Sequence, residues 1–177
     1  ETDDSVLRQT SARLPWLLIG MAGGIGSSMI LGNFDSTFAS HPEMALFIPL
    51  IGGTGGNVGT QSSAIVVQGL ANSSLDASNT WKQILKESVV ALINATIISM
   101  LVYIYNFICF GATATVTYSV SLSLFAVIMF ASIFGTLVPL TLNKMKIDPA
   151  IATGPFITTT NDILAMVFYM GITALLA

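Results

Sequence analysis

Five apolar runs, each long enough to cross a bilayer as a helix, constrain this chain more than any other feature. A helix covers the hydrocarbon core with roughly 20 residues, and runs of that kind lie at about 14–31, 44–70, 88–110, 118–142 and 149–176. Polar breaks at 32–35, 72–79 and 143–146 separate them, with a weaker Ala/Thr-rich break at 111–117. Fusing the third and fourth runs would give a helix far longer than any bilayer requires. Only 8% of the residues are Asp, Glu, Lys or Arg, and the mean hydropathy is +0.79. Soluble domains carry about 25% charged residues, so this chain lacks the groups to cover a globular surface. That excludes an ordinary soluble enzyme, a nucleic-acid-binding domain and a disordered tail. Net charge −3 offers no surface for a polyanion, and the single cysteine, Cys109, excludes a disulfide framework or a cysteine-based zinc site. The expected fold is an all-α integral membrane protein: one transmembrane domain of five helices over 1–177, with 1–13 as the end of a connecting segment.

Charge placement orients the spans. Arg8 and Arg13 precede the first, Lys82 and Lys86 lie between the second and third, and Lys144 and Lys146 lie between the fourth and fifth. With five spans all six basic residues fall on one side, while the two opposite loops carry Asp35, His41 and Glu43. The positive-inside rule then puts the N-terminus in the cytoplasm and Ala177 on the extracellular or periplasmic side of the cell membrane. Glu1-Thr2-Asp3-Asp4-Ser5 is acidic and polar, unlike the start of a signal peptide. It reads as the tail of a preceding cytoplasmic part.

Two spans break the apolar rule. The second contains Pro49, Gly52, Gly53, Thr54, Gly55, Gly56, Asn57, Gly59, Gln61 and Ser62. Irregular or polar backbone at that depth is tolerated only where protein packs around it or it lines water. Gly52/Gly56 and Gly55/Gly59 both fit the small-xxx-small spacing of close helix packing, but packing needs neither Asn57 nor Gln61. The glycine spacing matches neither G-x-G-x-x-G nor a P-loop. The fifth span contains Gly154, Pro155, Thr158, Asn161 and Asp162. Read as one continuous helix from Asp148, it puts Asp162 about 21 Å in, near the bilayer centre. Gly154, Thr158 and Asp162 then share one face, and Pro155 frees the carbonyl of Ile151. A carboxylate at the centre costs at least ~2.5–3.5 kcal/mol. Asp162 could be a protonated structural carboxyl bonded to Asn57 or Thr158. The functional reading is a metal site of oxygen donors, Asp162 with Thr158 and Gly154, and Asn57, Gln61, Asn161, Gly56 and Pro155 around it. Oxygen donors suit hard cations. Asp76, Glu87 and Asp148, at span ends, would attract cations to the cytoplasmic mouth. His41 and Cys109 are solitary, and there is no nucleophile–base pair, so enzymatic activity and an organic cofactor are not expected.

One carboxylate poorly balances a divalent ion. A two-fold axis between fifth spans would supply a second Asp162, and few oxygen ligands per subunit suit an ion that keeps its waters. Mg²⁺ sheds water reluctantly, whereas Ca²⁺ prefers more direct ligands. These considerations point to a homodimer in the lipid bilayer with hydrated Mg²⁺ bound between two copies of Asp162.

These residues also carry a resemblance. Pro49-xxx-Gly53-Thr54-Gly55-Gly56-Asn57-x-Gly59-x-Gln61-Ser62, Arg13 followed by Trp16, Asp148-Pro149-Ala150 and the later Asp162 resemble the membrane domain of MgtE-type magnesium channels over essentially the whole chain. The resemblance implies a homodimer whose pore comes mainly from spans two and five, with Asp162 as pore carboxylate and Thr158 and Gly154 beside it. Members often have Asn where Gly154 stands, so this chain keeps only a carbonyl there. It also implies an N-terminal cytoplasmic sensor domain and plug helix in the parent protein. The alternative is a Na⁺- or H⁺-coupled Mg²⁺ exchanger working by alternating access, like the solute-carrier relatives of MgtE. A third reading is an assembly domain in which the polar stripe only fixes packing.

Overall fold

The computed structural model describes residues 5–75, 79–152 and 154–176. Asp76, assigned above to the cytoplasmic mouth, lies outside them. The described residues form α1 (Val6–Gly32), α2 (Asp35–Ser40), a 3₁₀ turn (Pro42–Phe47), α3 (Ile48–Ala71), α4 (Thr80–Phe110), α5 (Thr115–Lys144), a second 3₁₀ turn (Pro149–Ala152) and α6 (Pro155–Leu176). By length and hydropathy, α1, α4, α5 and α6 could each cross a membrane. The 24-residue α3 is also long enough; its glycines and amides dilute its hydropathy.

Helix α5 is the buried centre of the bundle. Fifteen of its residues are buried, and it packs against α3, α4 and α6. A core of Met44, Phe47, Ile51, Val120, Leu124, Val127, Met166 and Tyr169 fills the space between α3, α5 and α6. The Tyr169 hydroxyl donates to the Met44 carbonyl at 2.6 Å, tying α6 to the first 3₁₀ turn. By contrast, α4 turns Val89, Ile93, Ile97, Met100, Leu101, Ile104 and Ile108 outward, as a helix facing hydrocarbon does.

The weak break between the third and fourth runs is a real turn. Gly111 adopts φ +89°, open to glycine and strained for other residues, and the Thr117 hydroxyl closes the turn by donating to the Gly111 carbonyl at 2.6 Å. Three sequence boundaries shift. Helix α1 begins at Val6 rather than 14, so it takes in much of the expected connecting segment 1–13. Helix α4 begins at Thr80 rather than 88, because hydrogen bonding along the helix does not stop where the apolar run stops. The fifth run is broken near its start: the 3₁₀ turn ends at Ala152, Gly154 has φ +80°, and α6 starts afresh at Pro155. Pro155 therefore occupies a first-turn position, where its missing N–H costs nothing, and it frees no carbonyl inside a helix.

Candidate cation site

Small residues decide which side chains meet. On α3, Gly55 and Gly59 face the bundle: a Cβ on Gly55 would lie 2.8 Å from Val127 Cγ1, and one on Gly59 would collide with the Asn161 amide. Gly52 and Gly56 lie on the adjoining strip of the same broad face, turned by roughly 60°, where Cβ atoms would stand 3.6 and 4.0 Å from Asp162 Oδ1. The two glycine pairs thus divide the labour. One pair brings α3 onto α5 and α6, and the other leaves space beside a carboxylate. Helix α1 joins α6 at a seam where a Cβ on Gly23 would collide with Thr159, and Gly26 sits over Ile163.

Between α1, α3 and α6 this packing leaves a cavity of about 550 Å³. Its walls are Gly24, Ser27, Ser28 and Leu31 from α1; Ile48, Pro49, Gly52, Gly53, Gly56, Asn57 and Thr60 from α3; and Thr158, Asp162 and Met166 from α6. Asp162 is half-buried and is the only charged residue among the described residues of the lining, while Asn57, Thr60 and Thr158 are exposed. Polar contacts on offer come from oxygen and amide groups alone. Among the described residues no three His, Cys, Asp or Glu side chains cluster to hold a metal. Among the described residues, the side chains this cavity offers a cation are one carboxylate, hydroxyls and an amide.

Of the residues expected at the site, Gly56, Asn57, Thr158 and Asp162 come together here. The others do not. Gly154 lies outside α6, and its carbonyl already accepts from the Thr158 amide at 3.0 Å; neither it nor Pro155 lines the cavity. Asn161 is buried against Gly59, on the packing side of α6. Gln61 is exposed outside the lining. With α6 starting at Pro155, Asp162 stands about two turns, or ~10 Å, inside that helix rather than 21 Å along a longer one. Glu87, expected at the cytoplasmic mouth, is 7% exposed and accepts hydrogen bonds from Ser62 and Ser132. Asp148 is exposed, and its carboxylate accepts from the Ala150 amide at 3.0 Å, capping the second 3₁₀ turn. The wall contributed by α1 was missed. Its signal was present as Gly20, Gly23, Gly24, Ser27 and Ser28, small residues three and four apart.

Gly52→Ala gives a direct check of this arrangement. At 3.6 Å from Asp162 the new methyl makes ordinary contact, so the protein should fold and melt normally. The methyl nevertheless occupies space beside the carboxylate. In a cation pathway running through this cavity, flux should fall about tenfold, as expected when a binding geometry is displaced by less than ~1 Å; unchanged flux would exclude the cavity as such a pathway.

An all-helical membrane bundle with one oxygen-lined, singly acidic cavity is the class that the fold and site define. A family model described as a divalent cation transporter, MgtE, matches residues 48–172. The chain belongs to the MgtE family. It is 36% identical over 160 residues to the magnesium transporter MgtE of Bacillus subtilis, covering 90% of this chain and 35% of that protein. The same-named protein of Enterococcus faecalis is 31% identical over 175 residues, covering 99% and 38%. That of Thermus thermophilus is 30% identical over 165 residues, covering 93% and 36%. The chain thus spans little more than a third of the length of these relatives.

Proposed function

We propose that two copies of this chain form a pathway for hydrated Mg²⁺, a channel or facilitated transporter, with Asp162 as the group that binds and selects the ion. The carrying observation is the half-buried Asp162 carboxylate facing the side-chain-free surface of Gly52 and Gly56. Glycines leave backbone and space where other residues would put methyl groups, so an ion can approach the carboxylate with its waters in place. A water occupies about 30 Å³ in the liquid, so Mg²⁺ with six waters needs roughly 200 Å³. The cavity, at about 550 Å³, has that room. Asn57, Thr60 and Thr158 supply donors and acceptors for the outer face of the hydration shell. Selection then rests on the fit and charge of the hydrated ion, not on stripping it.

Two considerations support the dimer. A single carboxylate leaves a dication with net positive charge in a low-dielectric surrounding, which a second Asp162 across a two-fold axis would neutralise. In a lone subunit the exposed Asn57 and Thr158 would meet lipid, where unpaired polar groups cost several kcal/mol. In this reading α1, α3, α4, α5 and α6 all cross the bilayer. The basic ends of α1, α4 and α5 lie in the cytoplasm, α6 ends outside, and Asp148 stands at the cytoplasmic mouth. The cytoplasmic sensor of a longer parent protein would precede α1.

The test is Mg²⁺ uptake into proteoliposomes holding a Mg²⁺-sensitive dye. Uptake should follow the Mg²⁺ gradient and membrane potential alone, unchanged by an imposed Na⁺ or pH gradient. Uptake that requires either gradient would replace the channel by a coupled carrier.

A further inference from the structure

We infer that Glu87 is a positioning residue: its clasp on Ser62 and Ser132 sets the rotation of α3, and with it the glycine face beside Asp162. The inference takes the cavity between α1, α3 and α6 as the ion site, as proposed above. Three oxygens from three helices meet at one point. Ser62 of α3 donates to Glu87 Oε2 at 3.1 Å, Ser132 of α5 donates to the same oxygen at 3.2 Å, and the two hydroxyls stand 3.2 Å apart. All three residues are buried.

Packing alone does not call for this arrangement. A buried carboxyl is costly wherever an apolar residue would fit, and among the described residues no cation balances this one. Helix α3 carries no charged residue, Lys144 at the end of α5 is the only one on that helix, and Lys82 and Lys86 on α4 are exposed. Ile51 near the start of α3 packs in the apolar core; between it and Ser62, α3 meets α5 through Gly55 against Val127 and through Gly135, where a Cβ would lie 2.6 Å from the Gly59 carbonyl oxygen. Such glycine contacts allow close approach but have no side-chain direction, so they resist rotation weakly. The hydrogen bonds of Ser62 are directional. At about 100° per residue, Ser62 lies roughly 20° from Gly55 on the packing face and roughly 120° from Gly56 on the cavity face. Releasing the clasp lets the helix turn. A rotation of about 20° would carry the Gly52 and Gly56 Cα atoms just under ~1 Å, given a helix radius of about 2.3 Å.

The test uses Asn57→Cys on α3 as a reporter in a Cys109→Ser background, since Cys109 is exposed. The rate at which a water-soluble thiol reagent labels the reporter is measured, and, separately, the Mg²⁺ concentration giving half-maximal flux. Glu87→Gln keeps the size of the side chain and an oxygen acceptor for the two hydroxyls, and should leave both quantities within about twofold of the parent. Glu87→Leu and Ser62→Ala should shift the labelling rate by about fivefold, the equilibrium equivalent of one lost buried hydrogen bond, and should shift half-saturation with less change in maximal flux. Labelling does not depend on which ion moves, so it separates failure of the clasp from failure of the Mg²⁺ reading. Unchanged labelling in monodisperse Glu87→Leu and Ser62→Ala proteins overturns the inference. So does a Glu87→Gln protein as altered as Glu87→Leu, since charge and not the clasp would then be needed.

Discussion

Asp162→Asn is expected to lower Mg²⁺ flux at least about a hundredfold while leaving the protein folded. The substitution keeps the shape of the side chain and removes only its charge. At an effective dielectric constant near 20, a dication about 5 Å from a carboxylate gains on the order of 7 kcal/mol, so even a small part of that term exceeds the ~2.7 kcal/mol equivalent of a hundredfold change. Stability should not suffer, because the carboxylate is half-buried in an open cavity and carries no part of the apolar core. The comparison is proteoliposome flux for the two proteins at equal density, with thermal unfolding in detergent as control. Near-normal flux in a folded Asn protein would remove Asp162 from the pathway and leave the polar stripe as a packing device.

Gly135→Ala should produce the largest loss of stability among single-methyl changes. Its Cβ would lie 2.6 Å from the Gly59 carbonyl oxygen and 3.1 Å from the Gly59 Cα, both backbone atoms that cannot swing aside. Helices α3 and α5 must separate, which also disturbs the contact of Gly59 with Asn161 and Ile157. Overpacking of this kind costs roughly 1–3 kcal/mol, and here no flexible side chain absorbs it. Gly171→Ala is the matched control: nothing lies within 4 Å of its Cβ position, so the better helix propensity of alanine, up to ~1 kcal/mol, should leave stability equal or higher. Melting followed by size-exclusion chromatography measures both. Equal melting of the Gly135→Ala protein would mean that the seam between α3 and α5 is looser than its geometry.

The apolar runs made the helices legible, since hydrocarbon thickness sets their length, and the cost of a buried acid singled out Asp162. What the sequence left open followed from direction and continuity. Glu87 stood at the edge of an apolar run, where an acid can face solvent or turn inward; only the partners on α3 and α5 decide, and they lie far away in sequence. Gly154 and Pro155 read equally well as a kink inside a helix or as its start, and the positive φ of Gly154 settled that for the start. The small-xxx-small spacing identified two glycine pairs without saying which faced a neighbour and which faced a cavity. Asn161, adjacent to Asp162, falls on the packing side of the helix for the same reason: consecutive helical residues point about 100° apart.

The walls of the cavity have an unusual relation to the order in which the chain is made. Helix α1 packs against α6 rather than against α3, and α3 rests on α5 and α6, although only the short α2 and a 3₁₀ turn separate α1 from α3 in the sequence and α6 comes long after both. A ribosome feeding the chain into a membrane therefore delivers two sides of the cavity early and their shared partner late. Until α6 arrives, a growing chain has neither the carboxylate nor the support that brings the two walls together, and so the cavity beside Asp162 is not yet formed.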